Sequence, residues 1–104
     1  MTEGERGRLQ QDLGTSRFMI LRNHGLLVTA ETVPDAFLQL FMLQRACEIQ
    51  VLAQSGGEAT IAVNQQVVEG IDAQSEIVLE GMGGDIAWPA LMRKMDRLDS
   101  SYKT

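Results

Sequence analysis

Residues 18–28 read FMILRNHGLLV, and this stretch decides the predicted architecture. The four apolar residues from Phe18 to Leu21 are typical of a short strand that is covered on both faces. The apolar character returns at Leu26-Leu27-Val28, after a polar interruption of four residues. The pattern therefore predicts two short adjacent strands, near residues 17–22 and 26–29.

The polar interruption carries His24, the only histidine of the chain. Asn23 and Gly25 both tolerate left-handed backbone angles, so a tight bend is readily formed here. An isolated histidine in a bend more often makes structural hydrogen bonds than binds a metal. Zinc normally takes three or four protein ligands, and the chain offers only this imidazole and one thiol, that of Cys47. These residues alone leave both roles open for His24.

A long helix is predicted to follow the strands, near residues 33–54. Thr32 can cap it, Pro34 is tolerated in its first turn, and Asp35 completes a capping-box pattern. Gly56-Gly57 ends it. Its apolar residues surround most of the circumference, which is typical of a helix buried on two sides: Ala36, Phe37, Leu40, Phe41, Met42, Leu43, Cys47, Ile49, Val51 and Leu52.

The rest of the chain adds further predicted helices. A short surface helix runs from Glu3 to Leu13, and a second covers residues 64–79. Residues 81–84 form a glycine-rich loop, after which Asp85 caps a last helix over residues 86–98. The sequence shows no internal repeat and no interdomain linker, so we expect one domain over residues 1–104.

Composition excludes several function classes. The chain has 104 residues, 44% hydrophobic residues and a net charge of -5, so binding to nucleic acid or to an anionic membrane is not expected. The N-terminal residues are polar and no apolar run is long enough for a membrane span. The single cysteine, Cys47, is expected to be a buried free thiol. A cytoplasmic protein is the simplest expectation.

Several separated motifs resemble the class II aldolase/adducin family, and they keep the family's order along the chain. The segment from Met19 to Val28 is similar to the family's Asn-His-Gly segment. The similarity continues toward the C-terminus and is closest to the adducin-head-like bacterial group: Glu31-Thr32-Val33, Ala36-Phe37, Ala46 to Val51, Gly56-Gly57, Trp88 to Leu91, Asp96 to Asp99 and Ser101-Tyr102.

This resemblance implies an α/β fold, namely the C-terminal portion of an α/β/α domain that is considerably longer than this chain. It implies that His24 is one of the histidines that hold a divalent cation, usually Zn²⁺. The family's other two ligands lie in an HxH motif, which this sequence lacks together with the catalytic Glu. We therefore expect no catalytic or cofactor-binding residue here beyond the metal ligand His24. Tyr102 resembles C-terminal tyrosines that reach the active site in some members.

The leading functional hypothesis is a truncated or split relative of a zinc-dependent aldolase or lyase that acts on small, sugar-like hydroxy-carbonyl compounds. Such a chain is expected to be inactive alone and to form a homo-oligomer or to need the missing N-terminal half-domain. The alternative is a non-catalytic, adducin-head-like module for interaction and oligomerisation. A remnant reading frame without selected activity is a third possibility.

Overall fold

A computed structural model of the chain describes residues 2–79 and 83–103, and for residues 76–79 it describes the backbone only. The architecture mixes helices with one small sheet, which confirms the predicted α/β class. The elements follow in this order: α1 (Glu3–Leu13), β1 (Phe18–Leu21), β2 (Gly25–Val28), α2 (Val33–Gln54), α3 (Gln65–Leu79), α4 (Gly83–Leu98) and a 3₁₀ turn (Ser101–Lys103).

The two strands form an antiparallel hairpin, as the interrupted apolar run predicts. The register pairs Phe18 with Val28 at the open end and Leu21 with Gly25 beside the bend. Residues 22–24 make the bend, and Gly25 has a φ of 120° that side chains other than glycine rarely adopt. A glycine is therefore required directly after His24.

The hairpin is covered unevenly. In β1, Met19 and Leu21 are half-buried, whereas Phe18 and Ile20 are exposed. Helix α2 packs against β2, where Leu27 is the half-buried cross-strand partner of Met19. In β1 the face bearing Met19 and Leu21 is therefore the covered one, whereas in β2 Leu26, Leu27 and Val28 are all half-buried, so both faces of that strand are partly covered.

Helix α1 begins with a capping box. The Thr2 hydroxyl accepts from the Glu5 backbone N–H at 3.2 Å, and the Glu5 carboxylate accepts from the Thr2 backbone N–H at 2.7 Å. Both bonds satisfy groups that a helix start leaves without partners. This cap explains why the helix forms although Gly4 and Gly7 weaken its first turns.

Helix α2 begins at the predicted cap but only half of the predicted box forms. The Asp35 backbone N–H donates to the Thr32 hydroxyl at 3.2 Å. The Asp35 carboxylate does not close the box; it accepts from the Gly84 backbone N–H at 3.1 Å. Asp35 therefore joins the start of α2 to the start of α4.

Helix α4 begins earlier than the sequence predicts. Gly83 and Gly84 lie in its first turn rather than in a loop, and Asp85 follows them inside the helix instead of capping it. Gly81 and Met82, the rest of the predicted loop, lie outside the described residues. The bond from Asp35 supports this start, because it satisfies a backbone donor that would otherwise lack a partner.

The contact between α2 and α4 is the main tertiary packing of the molecule. Gly84 is buried, and a Cβ placed on it would lie 2.5 Å from the Asp35 backbone nitrogen and 2.6 Å from the Pro34 carbonyl carbon. Farther along the two helices, Phe37 meets Trp88 edge to face with ring centroids 5.7 Å apart. Only glycine allows the helix starts to approach so closely.

The described residues nevertheless do not form a closed hydrophobic core. Among the described residues no hydrophobic side chain is fully buried. The accessible surface is 9081 Å², whereas a compact protein of 11.5 kDa exposes about 5,800 Å². The radius of gyration is 17.1 Å, against about 13 Å for a compact chain of this length. In the described part, no helix is both long and apolar enough to cross a bilayer.

Candidate functional site

His24 lies at the end of the bend between β1 and β2 and is exposed. The strand pair Leu21–Gly25 closes the bend behind it. A backbone bond from Thr29 to Arg17, 2.9 Å long, extends the pairing at the other end of the hairpin. The imidazole is therefore carried by a short hydrogen-bonded hairpin.

The first turn of α1 lies within electrostatic range of this bend. The pKa of the Glu5 carboxyl is held below its usual value, chiefly by the backbone N–H of Thr2 and then by the Thr2 side chain, with a smaller contribution from the charge of His24. The carboxylate of Glu5 is thus near enough to the imidazole for a weak electrostatic interaction. One carboxylate oxygen of Glu5, Oε2, is engaged in the α1 cap.

The described residues do not by themselves fit a zinc ion. In residues 2–79 and 83–103, no group of three or more His, Cys, Asp or Glu side chains is placed to hold a metal. Structural and catalytic zinc sites both need at least three protein ligands. His24 can supply one nitrogen from an accessible position, so its role as a metal ligand stays a prediction.

The structure shows a second polar cluster at the end of α4, which no sequence motif predicts. The Tyr102 hydroxyl donates to an Asp96 carboxylate oxygen, and the Lys103 ammonium lies 3.0 Å from the same carboxylate. We call Asp96, Tyr102 and Lys103 the C-terminal clasp. The spacing of six residues between Asp96 and Tyr102 has no helical signature, because the chain leaves α4 between them.

The groups of the C-terminal clasp shift one another's pKa values. The hydrogen bond from Tyr102, followed by that from Lys103, lowers the pKa of the Asp96 carboxyl. The same bond raises the pKa of the Tyr102 phenol, and Asp96 raises the pKa of the Lys103 amine. Tyr102, which resembles C-terminal tyrosines that reach the active site in some family members, is here held against its own helix.

Cys47 is half-buried rather than buried, which corrects the expectation of a fully enclosed thiol. It lines a shallow open depression on α2 with Gln44, Glu48, Val51 and Leu52. Arg45 and Glu48 form an exposed ion pair of 2.8 Å on the same helix. No His, Lys or Arg lies among the residues that line the depression beside the thiol.

Several known proteins are similar in sequence to this chain over nearly its whole length. A family profile described as "Class II Aldolase and Adducin N-terminal domain" matches residues 2–51. A Pseudomonas aeruginosa protein named "Putative aldolase class 2 protein" is 49% identical over 95% of this chain and 39% of its own length. Human Beta-adducin is 34% identical over 98% of this chain and 15% of its own length.

A solved structure preserves the arrangement as well as the sequence. The crystal structure of an aldolase II superfamily protein from Pseudomonas syringae matches 99% of this chain with a TM-score of 0.85 and 38% identity. The match covers 41% of that protein. The chain thus spans about two fifths of the length of these bacterial proteins, 39% in one and 41% in the other.

Proposed function

Because this chain belongs to the class II aldolase and adducin family, we propose that it contributes His24 to a divalent-metal site in a larger domain of that family. The remaining ligands and the acid–base carboxylate come from polypeptide outside residues 1–104. The activity of the completed domain is that of a zinc-dependent lyase on small hydroxy-carbonyl compounds. We place it in the cytoplasm, where its one thiol stays reduced.

The observation that carries this proposal is the placement of His24. It is the only histidine of the chain, it lies in the region matched by the family profile, and it is exposed on a bend fixed by strand pairing. A bend braced on both sides by backbone hydrogen bonds holds a ligand in one position, which metal affinity requires.

The proposal can be tested in a chimera in which residues 2–103 of this chain replace the matched region of the P. syringae protein. We expect the chimera to bind Zn²⁺ in isothermal titration calorimetry. His24→Ala should weaken that binding by about 100-fold or more, because removing a direct ligand costs at least as much as removing the groups that orient it. The chain on its own should bind Zn²⁺ only weakly.

The matched control is Arg22→Ala, which changes another exposed residue of the same bend without removing a metal ligand. It should leave zinc affinity within about twofold, since surface substitutions away from a site have small effects. Equal zinc affinity in the chimera with and without His24 would show that the ligand assignment is wrong.

A second candidate function is a non-catalytic module for assembly, which the similarity to Beta-adducin favours. A folded chimera that associates with itself but binds no Zn²⁺ would support this candidate over the lyase. Zinc binding that depends on His24 would support the lyase instead.

A further inference from the structure

We propose that residues 58–63, which read EATIAV, form a processing site for an endoprotease that accepts a small aliphatic residue before the bond it cuts. We call residues 58–63 the open segment. It lies in the connection between α2 and α3, away in sequence from the hairpin that carries His24 and from the C-terminal clasp. The inference therefore does not depend on the proposed function.

The open segment lies between hydrogen-bonded residues but makes no such bond itself. Before it, the Gly57 backbone N–H donates to the Gln54 carbonyl at 3.2 Å, and after it the Asn64 carbonyl accepts from the Val67 backbone N–H at 3.0 Å. Within the part of the chain that the structure describes, residues 58–63 form no backbone or side-chain hydrogen bond. A protease can therefore bind this backbone without first breaking native bonds.

The side chains of the open segment are as accessible as its backbone. Every residue from 58 to 63 is exposed, with Ile61 at 94% and Val63 at 63%. The whole connection, residues 55–64, is the longest between the described elements. Because proteases nick folded chains at exposed loops with few contacts, this connection is the favoured target. The other described connections are shorter and are closed by hydrogen bonds: residues 14–17, 22–24, 29–32 and 99–100.

The composition of the open segment selects the class of protease. A trypsin-like pocket takes a basic residue before the scissile bond, a chymotrypsin-like pocket takes a large apolar one, and an elastase-like pocket takes a small one. The open segment offers Ala59 and Ala62 but contains no Lys, no Arg and no aromatic residue. No basic residue lies between Arg45 and Arg93. An elastase-like pocket therefore fits this segment and a trypsin-like pocket does not.

The covalent step is the hydrolysis of one peptide bond. For cleavage after Ala62, water supplies a hydroxyl to the carbonyl carbon of Ala62 and a proton to the nitrogen of Val63, and the C–N bond between them breaks. The products are one new carboxyl terminus and one new amino terminus. The α2–α4 junction is then the main contact between the two pieces. This contact changes from an intramolecular one to an intermolecular one that weakens on dilution.

Limited proteolysis of the full 104-residue chain with elastase tests the site, with mass spectrometry of the fragments at successive times. We expect the first cut within the open segment, after Ala59 or Ala62. Small residues inside helices should be cut later, because their backbone must first unfold. Ala36, Ala46 and Ala73 are such residues.

Two matched double variants identify the residues that select the protease. Ala59→Asp with Ala62→Asp should slow cleavage within the open segment at least about tenfold, because a small apolar pocket does not accept a charge. Ala30→Asp with Ala73→Asp makes the same change of charge at two exposed alanines outside the segment. This control should leave the rate within about twofold of the wild-type rate, since surface substitutions have small effects on the fold.

A first cut within residues 58–63 that only the Ala59/Ala62 variant suppresses would support the processing site. A first cut inside α3 or α4 would overturn it, because a helix would then be the more accessible part of the chain. Simultaneous cuts at small residues throughout the chain would also overturn it, since they would show no preference for the open segment. Equal slowing in both double variants would show that Ala59 and Ala62 do not select the protease.

Discussion

Tyr102 is the only tyrosine of the chain, so its ionisation can be followed by ultraviolet absorbance without interference from another phenol. The Tyr102 hydroxyl donates to the Asp96 carboxylate. This bond stabilises the neutral form of the phenol and the charged form of the carboxyl group. The bond therefore raises the pKa of Tyr102 and lowers that of Asp96. The pKa of each group therefore depends on the presence of the other.

The signs of these shifts define the pH range of the C-terminal clasp. The raised pKa of Tyr102 means that its contribution is complete below the ordinary value of about 10 and is lost as pH rises through the raised value. The lowered pKa of Asp96 means that its contribution is present above about 3.9 and is lost as pH falls through the lowered value. The clasp is intact between these limits.

We expect Asp96→Asn to move the Tyr102 titration midpoint down toward the ordinary value of a tyrosine, because the carboxylate that opposes phenolate formation is gone. A spectrophotometric titration between neutral and strongly alkaline pH measures the midpoint. The control is Asp72→Asn, which removes the same charge from an exposed position on α3. If both variants shifted the midpoint equally, net charge rather than the clasp would be the cause.

At the scale of elements, the junction of α2 with α4 depends on Gly84. A methyl group at this position would meet the backbone of Pro34 and Asp35 at 2.6 and 2.5 Å. Such approaches are shorter than any ordinary carbon contact, and the obstructing atoms are backbone that cannot rotate away. The two helix starts would have to separate, which would also break the hydrogen bond from Gly84 to Asp35.

We expect Gly84→Ala to lower the free energy of unfolding by about 1 to 3 kcal/mol, the usual effect of forcing extra volume into a packed contact. Trp88, the only tryptophan, contacts Phe37 across this junction, so urea denaturation followed by tryptophan fluorescence reports on it directly.

Gly70→Ala is the matched control for this substitution. Its new Cβ would meet nothing nearer than the Gln74 side-chain nitrogen, 3.8 Å away, and alanine favours helix over glycine by about 0.5 to 1 kcal/mol. This variant should not lower the denaturation midpoint. A Gly84→Ala protein as stable as the wild type would show that the junction does not close as described.

The elements were predictable because their signals are local. The apolar runs on either side of residues 22–25 marked the hairpin, and Thr32 with Gly56-Gly57 bounded α2 within one or two residues of its observed limits. The Thr-x-x-Glu spacing at Thr2 and Glu5 is also the signature of the capping box that starts α1. Helix and strand periodicity need no knowledge of tertiary contacts.

What the sequence did not reveal depends on contacts between distant residues. Gly83-Gly84 reads as a loop, since glycine disfavours helices, and only the carboxylate of Asp35 shows why α4 starts there. The clasp partner Asp96 was missed for a similar reason, because a turn folds Tyr102 back onto α4. The metal-ligand role of His24 came from a family resemblance and stays a prediction, since most of the proposed site lies in other polypeptide.

At the scale of the whole molecule, the exposed apolar surface extends over more than one element. Besides Phe18 and Ile20 of β1, several apolar residues of α2 are exposed, among them Phe41 at 55%, Ile49 at 61% and Leu52 at 73%. The all-round apolar character of α2 predicted burial around most of the helix, yet its packing against β2 and α4 leaves these residues exposed.

We therefore expect the isolated chain to associate heterogeneously, with an average mass in light scattering that exceeds 11.5 kDa and rises with concentration. A dye that fluoresces on apolar surfaces should bind it, and the chimera should bind much less of the dye. A monodisperse monomer with a cooperative melt and no dye binding would contradict the open-surface interpretation.

The hydrogen bond between Asp35 and Gly84 joins residues 49 positions apart, and this separation has a kinetic consequence. The hairpin closes over a bend of a few residues, an event of about 1 to 10 μs. The α2–α4 junction must instead bring together distant parts of the chain against a larger loop-closure entropy. Until it closes, Phe37 and Trp88 remain in water. The time to close this one contact therefore sets how long these two aromatic rings stay fully exposed in a newly made chain.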